Sequence, residues 1–253
     1  MTIESSPPSS ISKHTATILD ILDRVTYAPV SADDIGNPIY RLRYDAYRRE
    51  ESVPLNDAGV VIDDLDVEPN AQAFGVYIDG KLASSLRLHL LHAGARKSPS
   101  MKVHPEALEP LLEKGHSFID PSRFTADIEA SLQFPALPFL TLRLAVMASI
   151  HHDATWCLAL VRPEHGAFYR RVFGSTELAG PRSYPGLAFP VSLFGALCAK
   201  DTERTLQRYQ FFRSTPKERS ALFERREHVQ VRSSSRSAVL HHLDQSRPLE
   251  AAE

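Results

Sequence analysis

Cysteine is scarce in this chain of 253 residues: Cys157 and Cys198 are the only two, in the apolar runs TWCLALV and GALCAK. Thiols in such runs read as packing, and two of them build neither a disulfide framework nor a cysteine-ligated zinc site. No run approaches the ~20 apolar residues of a membrane span. The opening MTIESSPPSSISKH is polar and rich in Ser and Pro, with no stretch of signal-peptide type. The expectation is a cytoplasmic protein with a flexible tail over residues 1–12. Charge excess is also missing: 29 Lys and Arg against 31 Asp and Glu give no basic footprint for nucleic acid. The pairs His151-His152 and His241-His242 have no further ligand at helical spacing, so no metal is expected. Glycine is absent between Gly115 and Gly166.

What is present is enough for one core, since 43% of the residues are hydrophobic. A strand is expected around RVTYAPV. IYRLRYDAYRREE follows, with Tyr40, Tyr44 and Tyr47 recurring at helical spacing. In AFGVYIDGKLASSLRLHLL, Phe74, Val76 and Ile78 alternate before Asp79-Gly80, and Leu82, Leu86, Leu88 and Leu90 alternate after it. That is a hairpin with a tight turn, and the first strand completes a meander. HSFIDPSRFTAD reads as a further strand, unusual in carrying Asp120, Arg123 and Asp127. LPFLTLRLAVMASIHH is apolar all round, as in a helix buried against a sheet. ATWCLALV suits a strand covered on both faces. PEHGAFYRRVFG reads as a helix opened by Pro163 and closed by Gly174. Two strands follow, joined by a loop with Pro181, Pro185 and Gly186, and a charged helical arm occupies 201–253.

This order of elements resembles the GNAT-type acyltransferase fold: a mixed α/β domain over 13–200, mainly antiparallel in its central sheet, with helices on its flanks. Within that superfamily, four motifs in order resemble the acyl-homoserine lactone (autoinducer) synthases and the N-acyl amino acid synthases of the FeeM type. They are the Arg-x-x-x-aromatic of Arg43 and Tyr47, the pair Asp63 and Asp66, Arg87 at the end of the second hairpin strand, and the Glu-x-Ser-Arg-Phe-like Asp120, Ser122, Arg123 and Phe124. The Tyr-Pro-Gly loop at Tyr184 is similar to the amino acid synthases. The lactone synthases carry an acid where Val61 stands, and a tryptophan in the region occupied here by SVPLND.

The resemblance implies a bacterial enzyme that N-acylates an amino acid with a medium or long acyl chain, by direct attack in a ternary complex. Its lipid-like product would partition into membrane. No bound cofactor is implied; the acyl chain arrives on the phosphopantetheine arm of acyl carrier protein. The missing glycines agree, because a nucleotide-bearing donor needs a Gly-rich pyrophosphate cradle, and that position reads IEASLQFPALPFLTL. Ser122 has no flanking glycines or adjacent base, so a serine nucleophile is not expected. Arg170, Arg171, Lys200, Arg204 and Arg208 offer a basic face to an acidic carrier; as a plain solvated surface they need no partner.

Asp120, Asp66 and Arg123 are the expected catalytic residues, with Arg43, Tyr47, Asp63, Arg87, Phe118 and Tyr169 at the substrate. Arg87 and Arg123 would grip the α-carboxylate, Asp120 would take the ammonium proton, and Tyr169 would protonate the leaving thiolate. Phe118, Phe134, Leu137, Phe139 and Leu140 would line an acyl tunnel. The purely structural alternative is a buried network Asp66–Arg87–Arg123–Asp120 that only fixes the fold. An autoinducer synthase, an ornithine-lipid-type N-acyltransferase and a non-enzymatic carrier- or lipid-binding relative remain the rival readings.

Overall fold

The computed structural model describes residues 11–31, 33–224 and 230–245, so the expected tail and the end of the expected arm fall almost wholly outside the described residues. In chain order the elements begin α1 (Lys13–Leu22), β1 (Val25–Val30), α2 (Pro38–Arg49), β2 (Ala71–Ile78) and β3 (Lys81–Leu91). The middle runs α3 (Pro99–Val103), α4 (Pro105–Glu113), β4 (Phe118–Ala126), α5 (Ile128–Gln133), α6 (Leu137–His151) and β5 (Trp156–Val161). The last part is α7 (Gly166–Phe173), β6 (Thr176–Ser183), β7 (Pro190–Leu197), α8 (Cys198–Arg208), α9 (Pro216–Phe223), β8 (Val231–Arg232) and α10 (Ser235–Gln245).

The strands form one sheet in the order β6-β7-β5-β4-β3-β2-β1-β8. Neighbours are antiparallel except β4 and β5. The meander β1-β2-β3 turns at Asp79 and Gly80, whose φ angles of 51° and 77° are those of a two-residue hairpin turn. Even positions Phe74, Val76, Leu86 and Leu88 enter the main core, while Arg87 and His89 are buried on the other face. A smaller core there joins Leu91 and Phe118 to Leu108 and Leu112 of α4.

The apolar helix α6 has the sheet on one side and α8, α9 and the turn Gln210–Phe212 on the other. Its one charge, Arg143, is fully buried and donates to Glu218 of α9 at 2.6 and 2.9 Å. It also donates to the carbonyls of Phe211 and Arg213, so the buried pair is hydrogen-bonded as such pairs must be.

Three expectations need correction. The segment past Lys200 is not a helical appendage: β8 pairs with β1, and Leu206, Phe211, Phe212, Leu222, Val231 and Val239 belong to the main core. A two-residue strand has no periodicity by which to be found. Ser12, placed in the tail, caps α1 by accepting the Thr15 N–H. β5 is covered on both faces only in part: Cys157 packs on the main core and Leu158 in the smaller one, but only Leu158 and Ala159 are fully buried, with the cleft open beside the strand.

Candidate active site

β4 and β5 pair only at Phe118–Trp156 and Ile119–Cys157, and then part. The bend is built into β4. Two residues, Arg123 and Phe124, stand opposite the single Leu86, and Arg123 has a φ of 52°, the left-handed region that a bulge supplies at a cost. A cleft of about 510 Å³ opens in the gap, with Tyr47, Arg87, Ser122 and Arg123 on one wall and Leu160, Val161 and Arg162 on the other. Beneath it a smaller cavity of about 40 Å³, lined by Ala145, Cys157, Tyr169 and Cys198, reaches under α6. Tyr169, Leu142, Leu158 and Ala159 border both spaces.

One wall of the cleft is an alternating chain of charge. Arg43 of α2 donates to Asp66 at 2.8 Å, and Arg87 of β3 reaches Asp66 at 3.0 Å and Asp63 at 2.5 Å. Arg123 completes the chain on the other oxygen of Asp63 and lies over the Tyr47 ring at 5.5 Å. The acids are presented by a short turn in which Asp63 accepts the Leu65 N–H and Asp66 accepts the Asp63 N–H. Burial alone would raise the Asp63 carboxyl, but Arg123 and Arg87 hold it well below the usual carboxylate range. Three guanidiniums against two carboxylates leave one positive charge. Arg87 Nη2, like Arg43 Nε and Nη2, is buried without a hydrogen-bond partner among the described residues, so of the three guanidiniums Arg123 is the one that keeps some exposure to an incoming anion.

Asp66, Asp63, Arg87, Arg123, Arg43 and Tyr47 are thus brought together, with Arg43 and Asp66 sealed behind the wall. Asp120 is not among them. It points to the covered face, where it accepts from the Ser100 N–H at 2.9 Å and the Ser100 hydroxyl at 2.8 Å. Burial raises its carboxyl despite those bonds. Asp63 therefore holds the network position expected of Asp120, whose two oxygens are taken up by Ser100 of α3. Phe118 lies in the small core with Leu91 and Leu158, not at the cleft. None of Phe118, Phe134, Leu137, Phe139 and Leu140 lines either space; Phe139 instead joins an aromatic cluster with Phe168, Tyr209 and Phe211. Tyr169 does border the cleft, and burial raises its phenol.

Arg170 and Arg171 of α7, and Lys200, Arg204 and Arg208 of α8, are exposed on two neighbouring helices. Arg170 pairs with Glu177 and Arg204 with Asp201, while Arg171, Lys200 and Arg208 form no ion pair among the described residues. Sequence reading gave no role to Glu50, Arg162, Tyr184 or Phe189, which also line the cleft. Arg162 donates to Glu50 at 2.7 Å across the gap and stacks on Phe189 at 3.8 Å. Pairs so distant in sequence leave no spacing signal.

The family described as N-acyl amino acid synthase FeeM matches residues 38–196. Among solved structures, FeeM, an N-acyl amino acid synthase from uncultured soil microbes, superposes with a TM-score of 0.59 at 17% identity, over 74% of this chain and 98% of that one. The acyl-homoserine lactone synthase LasI gives 0.54 at 16% identity, over 72% and 93%. The CoA-dependent acyl-homoserine lactone synthase BjaI gives 0.53 at 14% identity, over 73% and 90%. No curated protein sequence matches. At these identities the structural likenesses establish the fold alone: a mostly antiparallel sheet flanked by helices, as in GNAT-like acyltransferases.

Proposed function

Because the chain belongs to the FeeM family of N-acyl amino acid synthases, we propose that it moves a medium or long acyl chain from acyl carrier protein to the α-amine of an amino acid. The observation that carries this reading is the parted sheet with the cationic wall of Arg87 and Arg123 above an apolar cavity. The acceptor's carboxylate meets the Arg123 guanidinium, which keeps 13% exposure where Arg87 beside it has none. Asp63, ionised between them, holds both forks in place. The acyl chain extends toward the cavity under α6.

A carrier-borne donor is supported by the start of α6. Leu137, Phe139 and Leu140 spend their N–H groups on the carbonyls of Phe134 and Ala136, and Pro138 has none. That helix start offers no free donors to a pyrophosphate. The exposed Arg171, Lys200 and Arg208 suit an acidic carrier.

Direct attack is supported by the thiols. Burial pushes Cys157 up to about 12, which keeps it a neutral, poorly nucleophilic thiol. Ser122 spends its hydroxyl oxygen on Arg87 Nε at 3.1 Å. In a ternary complex the amine nitrogen forms the C–N bond, the C–S bond breaks, and the buried Tyr169 phenol is placed to protonate the thiolate.

The test is turnover of acyl carrier protein thioesters, with chains of several lengths, against the standard amino acids, ornithine and S-adenosylmethionine. An N-acyl amino acid formed in step with free carrier thiol is the expected product. A lactone with methylthioadenosine, or carrier binding with no product, overturns the reading.

A further inference from the structure

An amino acid reaches the cleft as an ammonium, and its nitrogen cannot attack until a proton leaves. The acids of the cationic wall are poorly placed to take it. Asp63 is held ionised by two guanidiniums, and a carboxylate so paired is a weak base. Asp66 is sealed, with Arg43, Arg87 and the Asp63 N–H on its oxygens. Asp120 is fully buried, its oxygens are taken by the Ser100 N–H and hydroxyl, and it does not line the cleft.

Among the described residues that line the cleft, Glu50 is the one carboxylate. It is the residue after α2, and α2 is pinned to β4 there, since Arg49 donates to the Ala126 carbonyl at 3.3 Å. The partner of Glu50, Arg162, directly follows β5, on the side of the gap away from β4. The acid therefore sits on the cleft wall and is bonded to the residue that follows the parted end of β5. Its side chain is 57% exposed, so exchanging partners costs it little desolvation. Arg162 keeps a second resting place on the Phe189 ring when Glu50 lets go. His165 also lines the cleft. A neutral imidazole can accept a proton, but it brings no negative charge to hold an ammonium.

We infer that Glu50 is a catalytic residue of the acyl transfer proposed above: it binds the acceptor's ammonium in place of Arg162 and takes its proton as nitrogen attacks the thioester. The balance closes without a further reactant. Of the three ammonium hydrogens, one passes to Glu50, one to the leaving thiolate, and one remains on the amide; Glu50 then releases its proton to water.

The experiment compares purified wild-type protein with Glu50→Gln, Glu50→Asp and His165→Gln. Carrier thiol release is measured from an acylated carrier protein, with either an amino acid or hydroxylamine, which is already neutral at pH 7, as acceptor. Glu50→Gln is expected to slow the amino acid reaction by about 100-fold and the hydroxylamine reaction by only a few-fold, with Glu50→Asp partly restoring the former. Equal losses with both acceptors would make Glu50 a structural clasp and overturn the inference. So would an undiminished Glu50→Gln rate, or the selective loss appearing in His165→Gln instead. If the wild type releases no thiol with any acceptor, the acyl-transfer reading itself fails.

Discussion

Arg123 meets Asp63, 60 residues earlier in the chain, because β4 bulges at Arg123 and turns its side chain toward the Asp63 turn. Asp63 is the joint between two guanidiniums from adjacent strands. Asp63→Asn would leave Arg87 and Arg123 facing each other without an intervening charge. Removing one member of a buried pair costs about 3 kcal/mol, and turnover should fall by about 100-fold. Urea unfolding and turnover on the same sample check both; a variant as stable and as active as wild type would show that the joint is dispensable.

The small cavity under α6 can be filled from Ala145, which is buried on its wall. Ala145→Val adds two carbons to a space of about 40 Å³. The expected result is a shortened donor range, with long acyl chains losing at least tenfold in kcat/KM and short ones unchanged. A uniform loss across chain lengths would place the acyl chain elsewhere.

On the helices α7 and α8, reversing Arg171, Lys200 and Arg208 to Glu should raise KM for a carrier-borne donor about tenfold and weaken its salt dependence. A short acyl-pantetheine donor should be used as before. Equal effects on both donors would remove the carrier from this face.

His89 sets a pH dependence of stability. Its Nε2 faces the Leu65 carbonyl at 3.0 Å, and burial, helped by the charge of Arg87, pushes the imidazole from 6.5 to about 4. Between those values the unfolded chain binds a proton that the folded chain refuses. The contribution is therefore whole above pH 6.5 and lost as pH falls toward 4, a difference of about 3 kcal/mol. Asp63 acts in the same direction at still lower pH, since its carboxyl is held below the ordinary range. His89→Gln, which keeps a donor for Leu65, should flatten urea-derived stability between pH 6.5 and 4; an unchanged slope would clear His89 of the effect.

The legible parts of the molecule were those written in local periodicity. Asp79-Gly80 between alternating residues announced the hairpin, and the unbroken apolarity of α6 announced a helix covered on every side. Residues of the cationic wall were legible as types in a family order, yet their partners were not. Arg123 reaches the face of Arg87 only because β4 carries one extra residue, and Asp120 on that same face is taken by Ser100 of α3, a partner 20 residues away. Glu50 and Arg162 meet across 112 residues, a contact made by the parting of two strands. The strand β8 was hidden for a different reason: two residues are too short to show alternation.

That last strand bears on the order in which the chain can be made. Arg236 of α10 is tied to Asp20 of α1 and to Asp23 just after it, β8 closes on β1, and Phe211, Phe212 and Val239 complete the main core. The first elements to leave the ribosome thus wait for some of the last. Until residues near 240 emerge, α1 and the Gln210–Phe212 turn stand without their α10 cover, and long-range closure of this kind is slow. A release of nascent chains stalled at successive lengths should show protease resistance appearing late and all at once, not spreading gradually from the meander.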